Sequence, residues 1–112
     1  MRYMLLMWDD ETEGLSPEQI VARPEFSTWL KDVESRGVRH RGARLRPAAE
    51  ARTVRIRDGK LLVTDGPFAE TKDQIAGYEL VDCANLDEAI EVAAGHPTAT
   101  KFSVEIRPFW EG

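Results

Sequence analysis

The opening run Arg2-Tyr3-Met4-Leu5-Leu6-Met7-Trp8 is apolar on both of the faces that a strand would present. Side chains alternate sides along a strand, so Tyr3, Leu5 and Met7 share one face while Met4, Leu6 and Trp8 share the other. Both faces call for burial, as in a strand lying inside a sheet that is covered on each side. The rest of the chain therefore has to supply, or recruit, two covers.

Downstream, Ser16 before Pro17 and Glu18 reads as a helix N-cap with proline at the first helical position, opening a short turn to Ala22. Pro24 interrupts that turn, so the main helix is expected from Pro24 to Arg36, with Phe26, Leu30 and Val33 as its apolar stripe, Trp29 beside them and Gly37 as its stop. Residues 38–45 alternate loosely, as a strand with arginines on both faces. Residues 53–64 read as two strands joined by Asp58-Gly59, a dipeptide that tolerates the positive φ angles of a type I′ turn. That register sets Val54 against Val63 and Ile56 against Leu61, all four on one side. A strand at 76–82 follows, with Tyr78 and Leu80 on one face. Asn85 then caps a helix, Glu88 completes a capping-box pair, Leu86, Ile90 and Ala93 form its apolar line, and Gly95 and Pro97 end it. A last strand, 102–109, turns Phe102, Val104 and Ile106 inward.

Strand, helix, strand, hairpin, strand, helix, strand is the order of an α+β, ferredoxin-like split βαβ fold with an inserted β-hairpin, an antiparallel sheet carrying two helices on one face. At 112 residues the chain, 1–112, is one domain, too short to hold two cores. Two helices cover only one face of such a sheet. The sheet of a second copy is the economical cover for the other, giving a two-fold homodimer built as a dimeric α/β barrel.

Composition narrows the function classes. The hydrophobic fraction of 42% and charged fraction of 31% are ordinary for a globular domain. No run reaches the roughly 18 apolar residues of a membrane span, and the apolar start meets Asp9-Asp10-Glu11 too soon to be a secretory signal. No membrane association and a cytoplasmic location are expected. The lone Cys83 has no internal disulfide partner, which fits a reducing compartment. A net charge of −5 argues against nucleic acid, although the basic stretch 38–46 leaves room for an anionic small molecule. Neither metal nor other cofactor is expected, because His40 and His96 stand far apart, no close ligand pair occurs, and P-loop, GxGxxG and GxSxG patterns are missing.

Asp65 ends a strand before Gly66, Pro67 and Phe68, where its side chain can close an Asx-type turn or act as a general base. His96, after a helix C-terminus, is placed to be an imidazolium favoured by the helix dipole, or an acid or base at a cleft edge. His40 lies among arginines that favour its neutral form. These three are the candidate catalytic residues. Trp8, Asp9, Phe68 and Tyr78 are candidates for lining a ligand pocket, with the end of the first strand as its centre.

The stretches 3–10 (YMLLMWDD), 54–82 (VRIRDGKLLVTDGPFAETKDQIAGYELVD), 85–97 (NLDEAIEVAAGHP) and 104–109 (VEIRPF) resemble the DGPF branch of the YCII-related family of small bacterial proteins. The resemblance implies a ferredoxin-like fold dimerised as an α/β barrel, with a cleft between sheet and partner as the site. It also implies, for some relatives, a histidine and aspartate pair that transfers protons, and for one related enzyme dehydrochlorination of a chlorinated aromatic diol or quinol. The histidine of that pair would fall in the first helix after Arg23-Pro24, where this chain has Phe26. The aspartate would fall before Pro97, where this chain has His96. Both members of the pair are replaced, so that mechanism does not carry over.

The reading that results is a cytoplasmic homodimer whose intersubunit cleft binds a small aromatic or anionic molecule and supports cofactor-independent acid/base chemistry of lyase or isomerase type. The alternative is a non-catalytic ligand-sensing or protein-interaction module.

Overall fold

A computed structural model describes residues 1–12, 19 and 22–111; the expected cap at Ser16 and the turn behind it lie outside the described residues. The elements are β1 (Arg2–Asp10), α1 (Pro24–Ser35), β2 (Arg39–Arg44), β3 (Arg52–Arg57), β4 (Lys60–Asp65), β5 (Asp73–Asp82), α2 (Leu86–Gly95), α3 (Pro97–Lys101) and β6 (Ser103–Pro108), with a 3₁₀ turn at Ala48–Glu50. Four strands make one antiparallel sheet in the order β2-β5-β1-β6, and β3 and β4 pair separately. The two-faced first strand is thus an inner strand, held between β5 and β6.

The helices lie on one face. Tyr3, Leu5 and Met7 of β1 and Val81 of β5 form the core with Trp29 and Val33 of α1 and Ala89, Val92 and Ala93 of α2. Local chemistry sets the ends of α1. Pro24 begins it, and Gly37, at φ +69, ends it in a Schellman motif: Val38 N–H donates to the Val33 carbonyl and Gly37 N–H to the Glu34 carbonyl. Val33 and Val38, both buried, supply the apolar contact of that motif. Arg36 then ties the end of α1 to α2 by bonding Asp32 and Glu91.

Helix α2 starts as expected, with Asn85 accepting from Glu88 N–H and the Glu88 carboxylate reaching back to Ala84 N–H. Its core face differs from the expected one. Ala89, Val92 and Ala93 are buried, whereas Leu86 and Ile90 are about half exposed, at 50% and 49%. The buried face meets Trp29, whose indole N–H donates to the Val92 carbonyl and which shares the core with Ala89, Val92 and Ala93. Pro97 also does more than end α2, since it sits at the first position of the short α3.

The hairpin keeps the expected register, Val54 with Val63 and Ile56 with Leu61, around a turn in which Asp58 and Gly59 have φ angles of 52° and 74°. Among the described residues it joins no other strand. Val54, Ile56, Leu61 and Val63 are all more than half exposed, and the radius of gyration of 15.8 Å exceeds the roughly 13 Å of a compact chain this long. On the main sheet, the face away from the helices carries half-buried Met4, Leu6, Trp8, Tyr78 and Leu80. Among the described residues no helix is long and apolar enough to cross a membrane.

The buried faces make a stability prediction. Leu5→Ala, which empties a fully buried site, should lower unfolding free energy by about 2–5 kcal/mol in chemical denaturation. Ile90→Ala should cost less than about 1 kcal/mol. Equal losses at the two sites would contradict this assignment of the core face of α2.

Candidate functional site

Irregular pairing and missing side chains open a cleft beside β5. Met7 pairs with Gly77 but Trp8 with Ile75, so Ala76 is the extra residue of a bulge, a device that re-aims neighbouring side chains. A Cβ on Gly42 would overlap the Glu79 carboxylate, and one on Gly77 would come within 2.9 Å of the Ala43 carbonyl oxygen. The space these residues leave is part of a cleft of about 200 Å³ lined by Met7, Asp9, Phe26, Glu79 and His96, with Ala43 and Tyr78 on the strand side.

Asp9 continues the inward parity of Tyr3, Leu5 and Met7, which carries a carboxylate onto the core face. It is 2% exposed, and its Oδ1 is buried without a hydrogen-bond partner. Burial first, then repulsion from Glu11, Asp10 and Asp73, raises its pKa to about 6. The adjacent Asp10 is satisfied: its Oδ1 accepts from Thr12 N–H at 2.9 Å and from the Thr12 hydroxyl at 2.6 Å. Those bonds, and Lys72 nearby, hold Asp10 below the usual carboxylate range.

His96 also belongs to this cleft. Its Nδ1 accepts from Thr98 N–H at 3.1 Å, so the residue caps the start of α3. Trp29 and Phe26 meet its ring edge-on, with centroids 4.7 Å and 5.7 Å away. Burial pushes its pKa down to about 4, so the imidazole is neutral at physiological pH. The expected imidazolium at a helix C-terminus is corrected by this surrounding, because an apolar enclosure outweighs the dipole of α2. Glu79 stands opposite Leu5 on the same inward face, and Arg39 binds its carboxylate at 2.8 Å. Burial raises the Glu79 pKa even so.

The other sequence candidates lie elsewhere. Asp65, at the end of β4, is 88% exposed in its side chain and pairs with Arg52 across the hairpin at 3.1 Å. Its corner is held by backbone geometry instead: Gly66, at φ +98, donates to the Ala51 carbonyl, and Thr53 Oγ1 donates to the Gly66 carbonyl. Trp8 and Phe68 line a broad open hollow of about 1150 Å³ at the hairpin base, with Pro67, Lys72 and Ile75. Trp8 Nε1 donates to Glu105 at 2.9 Å, and Arg55 lies over the Phe68 ring at 5.3 Å. His40 is the extra residue of a second bulge, between Arg39 and Arg41, and is exposed. The structure therefore brings Asp9 and His96 to one cleft, which the strand at Tyr78 also lines although that side chain shares the opposite face with Leu6, brings Trp8 and Phe68 to another, and leaves Asp65 and His40 outside both. Among the described residues no cluster of three or more His, Cys, Asp or Glu side chains is placed to hold a metal ion.

Glu79 and Arg39 escaped the sequence reading, although a charged residue at an inward position of the strand 76–82 was a visible signal for Glu79. For Asp9 the strand parity was the signal.

The sequence profile of the YCII-related domain matches residues 1–111. The chain belongs to the YCII-related family. It is also 41% identical over 114 aligned positions to an uncharacterised protein of Rhizobium meliloti (strain 1021), covering 96% of this chain and 91% of that protein. The family profile therefore takes in the whole of β1 and of the cleft in this YCII-related chain.

The two buried groups make opposite demands on pH. Asp9, raised to about 6, binds its proton more tightly in the folded state, so its contribution to stability is present below about pH 4 and is lost as pH rises through 6. His96, lowered to about 4, contributes stability that is present above about pH 6.5 and is lost as pH falls through 4. Relative to wild type, Asp9→Asn should therefore gain stability as pH rises from about 4 to 6. His96→Asn, which keeps a capping side chain, should lose it over the same window, each by roughly 1–3 kcal/mol. Denaturation curves at stepped pH measure both, and parallel slopes would contradict the assignment.

Proposed function

We propose that this YCII-related chain forms a cytoplasmic homodimer that binds a small molecule, aromatic or anionic, and moves a proton on it by cofactor-independent acid/base chemistry. The observation that carries the reading is the Asp9 carboxylate, buried at 2% exposure with an unpartnered oxygen. A protein core gains nothing from such a group, since an unsatisfied buried acceptor costs about 1–3 kcal/mol or more. A carboxylate that titrates near 6 exchanges protons readily at neutral pH. The cleft, at about 200 Å³, falls below the roughly 300 Å³ of the smallest drug-sized pockets, which suits a ligand of one ring or less. Asp9 is the proton-transfer group, His96 a hydrogen-bonding partner for the ligand, and Asp65 the corner of the hairpin.

The wider assembly belongs to the same proposal. The strand order β2-β5-β1-β6 supports a ferredoxin-like split βαβ, and the run Asp65-Gly66-Pro67-Phe68 supports the DGPF branch. A second copy seats its sheet on Met4, Leu6 and Leu80, and the hairpin's Val54, Ile56, Leu61 and Val63 reach across it. A two-stranded hairpin with an exposed apolar face is marginal alone and gains most from such a partner. The hollow beside Trp8 and Phe68 then lies between subunits. The exposed hairpin face also favours a second reading, a protein-interaction module in which the cleft is a sensor.

A ligand screen by NMR separates these readings. Small ring phenols and carbonyl compounds should shift the amide signals of Gly42, Gly77 and Thr98, with an affinity that changes near pH 6 in wild type and not in Asp9→Asn. Sedimentation should give a dimer, and Leu6→Arg a monomer. Signals that move only along the hairpin would favour the interaction module, and a monomeric wild type would remove the dimer.

A further inference from the structure

We infer that the substrate of this cleft is an enolisable carbonyl compound, with Asp9 taking a proton from the carbon beside the carbonyl and His96 holding the carbonyl oxygen. The inference rests on reading the cleft as a ligand site and goes further by giving the two side chains different roles. His96 Nδ1 accepts a hydrogen bond from Thr98 N–H. A ring nitrogen that accepts carries no hydrogen, so the hydrogen of the neutral ring is on Nε2. Among the described residues Nε2 has no hydrogen-bond partner, yet Asp9 Oδ1 is the buried side-chain atom left without one. Nε2 is therefore not sealed, and the cleft that the ring lines is the space open to it. Trp29 and Phe26 grip the ring edge-on at interplanar angles of 75°, and the bond to Thr98 fixes its rotation. His96 thus offers a fixed N–H donor and does not offer a base.

Asp9 has the complementary property: its Oδ1 is enclosed and lacks a donor, and its Oδ2, which is not enclosed in that way, is the oxygen open to the cleft that the residue lines. One small ligand that satisfies both residues carries an acceptor oxygen for Nε2–H and a hydrogen for the carboxylate. A hydrogen on oxygen or nitrogen moves without help, whereas a hydrogen on carbon is the one whose transfer benefits from a positioned base and a stabilised oxyanion. The step balances within the ligand and Asp9. The C–H bond breaks and its proton goes to the Asp9 carboxylate. The bonding pair forms a C=C bond, and the carbonyl π pair moves to oxygen, where Nε2–H donates to the enolate. Return of the proton to the same carbon gives exchange, and return to a conjugated carbon gives isomerisation. Met7 and Phe26 face the carbon skeleton.

The test uses 4-nitrophenolate, a planar ring oxyanion that stands in for the enolate, at pH 8 with the full chain. Asp9→Asn mimics the protonated carboxyl and removes repulsion, so it should bind this probe at least about 10-fold more tightly than wild type. Adding His96→Phe to Asp9→Asn should weaken binding by about 10- to 100-fold, the worth of one hydrogen bond to a charged acceptor. Should that double variant fail to fold, the nitrogen NMR spectrum of the wild-type ring decides: the hydrogen should be on Nε2, and its signal should move downfield when the probe binds to Asp9→Asn. Absence of probe binding to both wild type and Asp9→Asn would remove the ligand-site reading and this inference with it. Binding that ignores His96, or a ring hydrogen on Nδ1, would overturn the inference and leave the ligand site standing.

Discussion

The alternation of side chains along β1 is the constraint from which the rest of the molecule follows. Its inner strand position gives Tyr3, Leu5 and Met7 to the helices and Met4, Leu6 and Trp8 to the opposite face. The same alternation, carried two residues further, puts Asp9 under the helix layer and leaves Asp10 to close a turn with Thr12. One periodicity therefore builds the core and delivers a carboxylate into it. A slip of one residue would exchange the two faces, bringing Trp8 inward and Asp9 out to water.

What makes the end of that strand chemically different from its middle is the loss of volume beside it. Gly42, Gly77 and the bulge at Ala76 withhold side chains where the core would otherwise close. The Glu79 carboxylate, bound to Arg39, occupies the place a Gly42 side chain would take, and Asp9 Oδ1 is left without a hydrogen-bond partner. His96 meets the cleft from the other side, held by Thr98, Trp29 and Phe26. Phe26 and His96 occupy the two positions where some relatives are expected to carry a histidine and an aspartate, and here they touch ring to ring. In this chain the unpartnered carboxylate of the cleft, Asp9, belongs to β1.

Much of the fold was legible because its signals are local. Periodicity gave the two apolar faces of β1 and the inward face of β6, Asp58-Gly59 gave the hairpin register, and Asn85 with Glu88 gave the start of α2. The parts that were not legible depend on distant neighbours. In α2 the smaller apolar set Ala89, Val92 and Ala93, at helical spacing, faces Trp29 and the core, while the larger Leu86 and Ile90 lie half exposed. Pro97 reads as a stop until α3 is seen to begin on it, which turns His96 from the end of one helix into the cap of the next. The bulge at His40 breaks the alternation of β2, so counting residues could not place that side chain. At the site, the end of the first strand pointed to Asp9, but the isolation of its Oδ1 is a property of the closed fold, and the conspicuous Asp65 forms a hairpin ion pair.

The central claim is that Asp9 is buried, with an oxygen that has no partner, at the end of the core strand. A site-resolved titration of its side-chain carboxyl carbon by NMR tests this most directly. The account predicts a midpoint of about 6, with an ionisation step that the His96 ring does not share. A midpoint near 4, that of an ordinary hydrated aspartate, would contradict it.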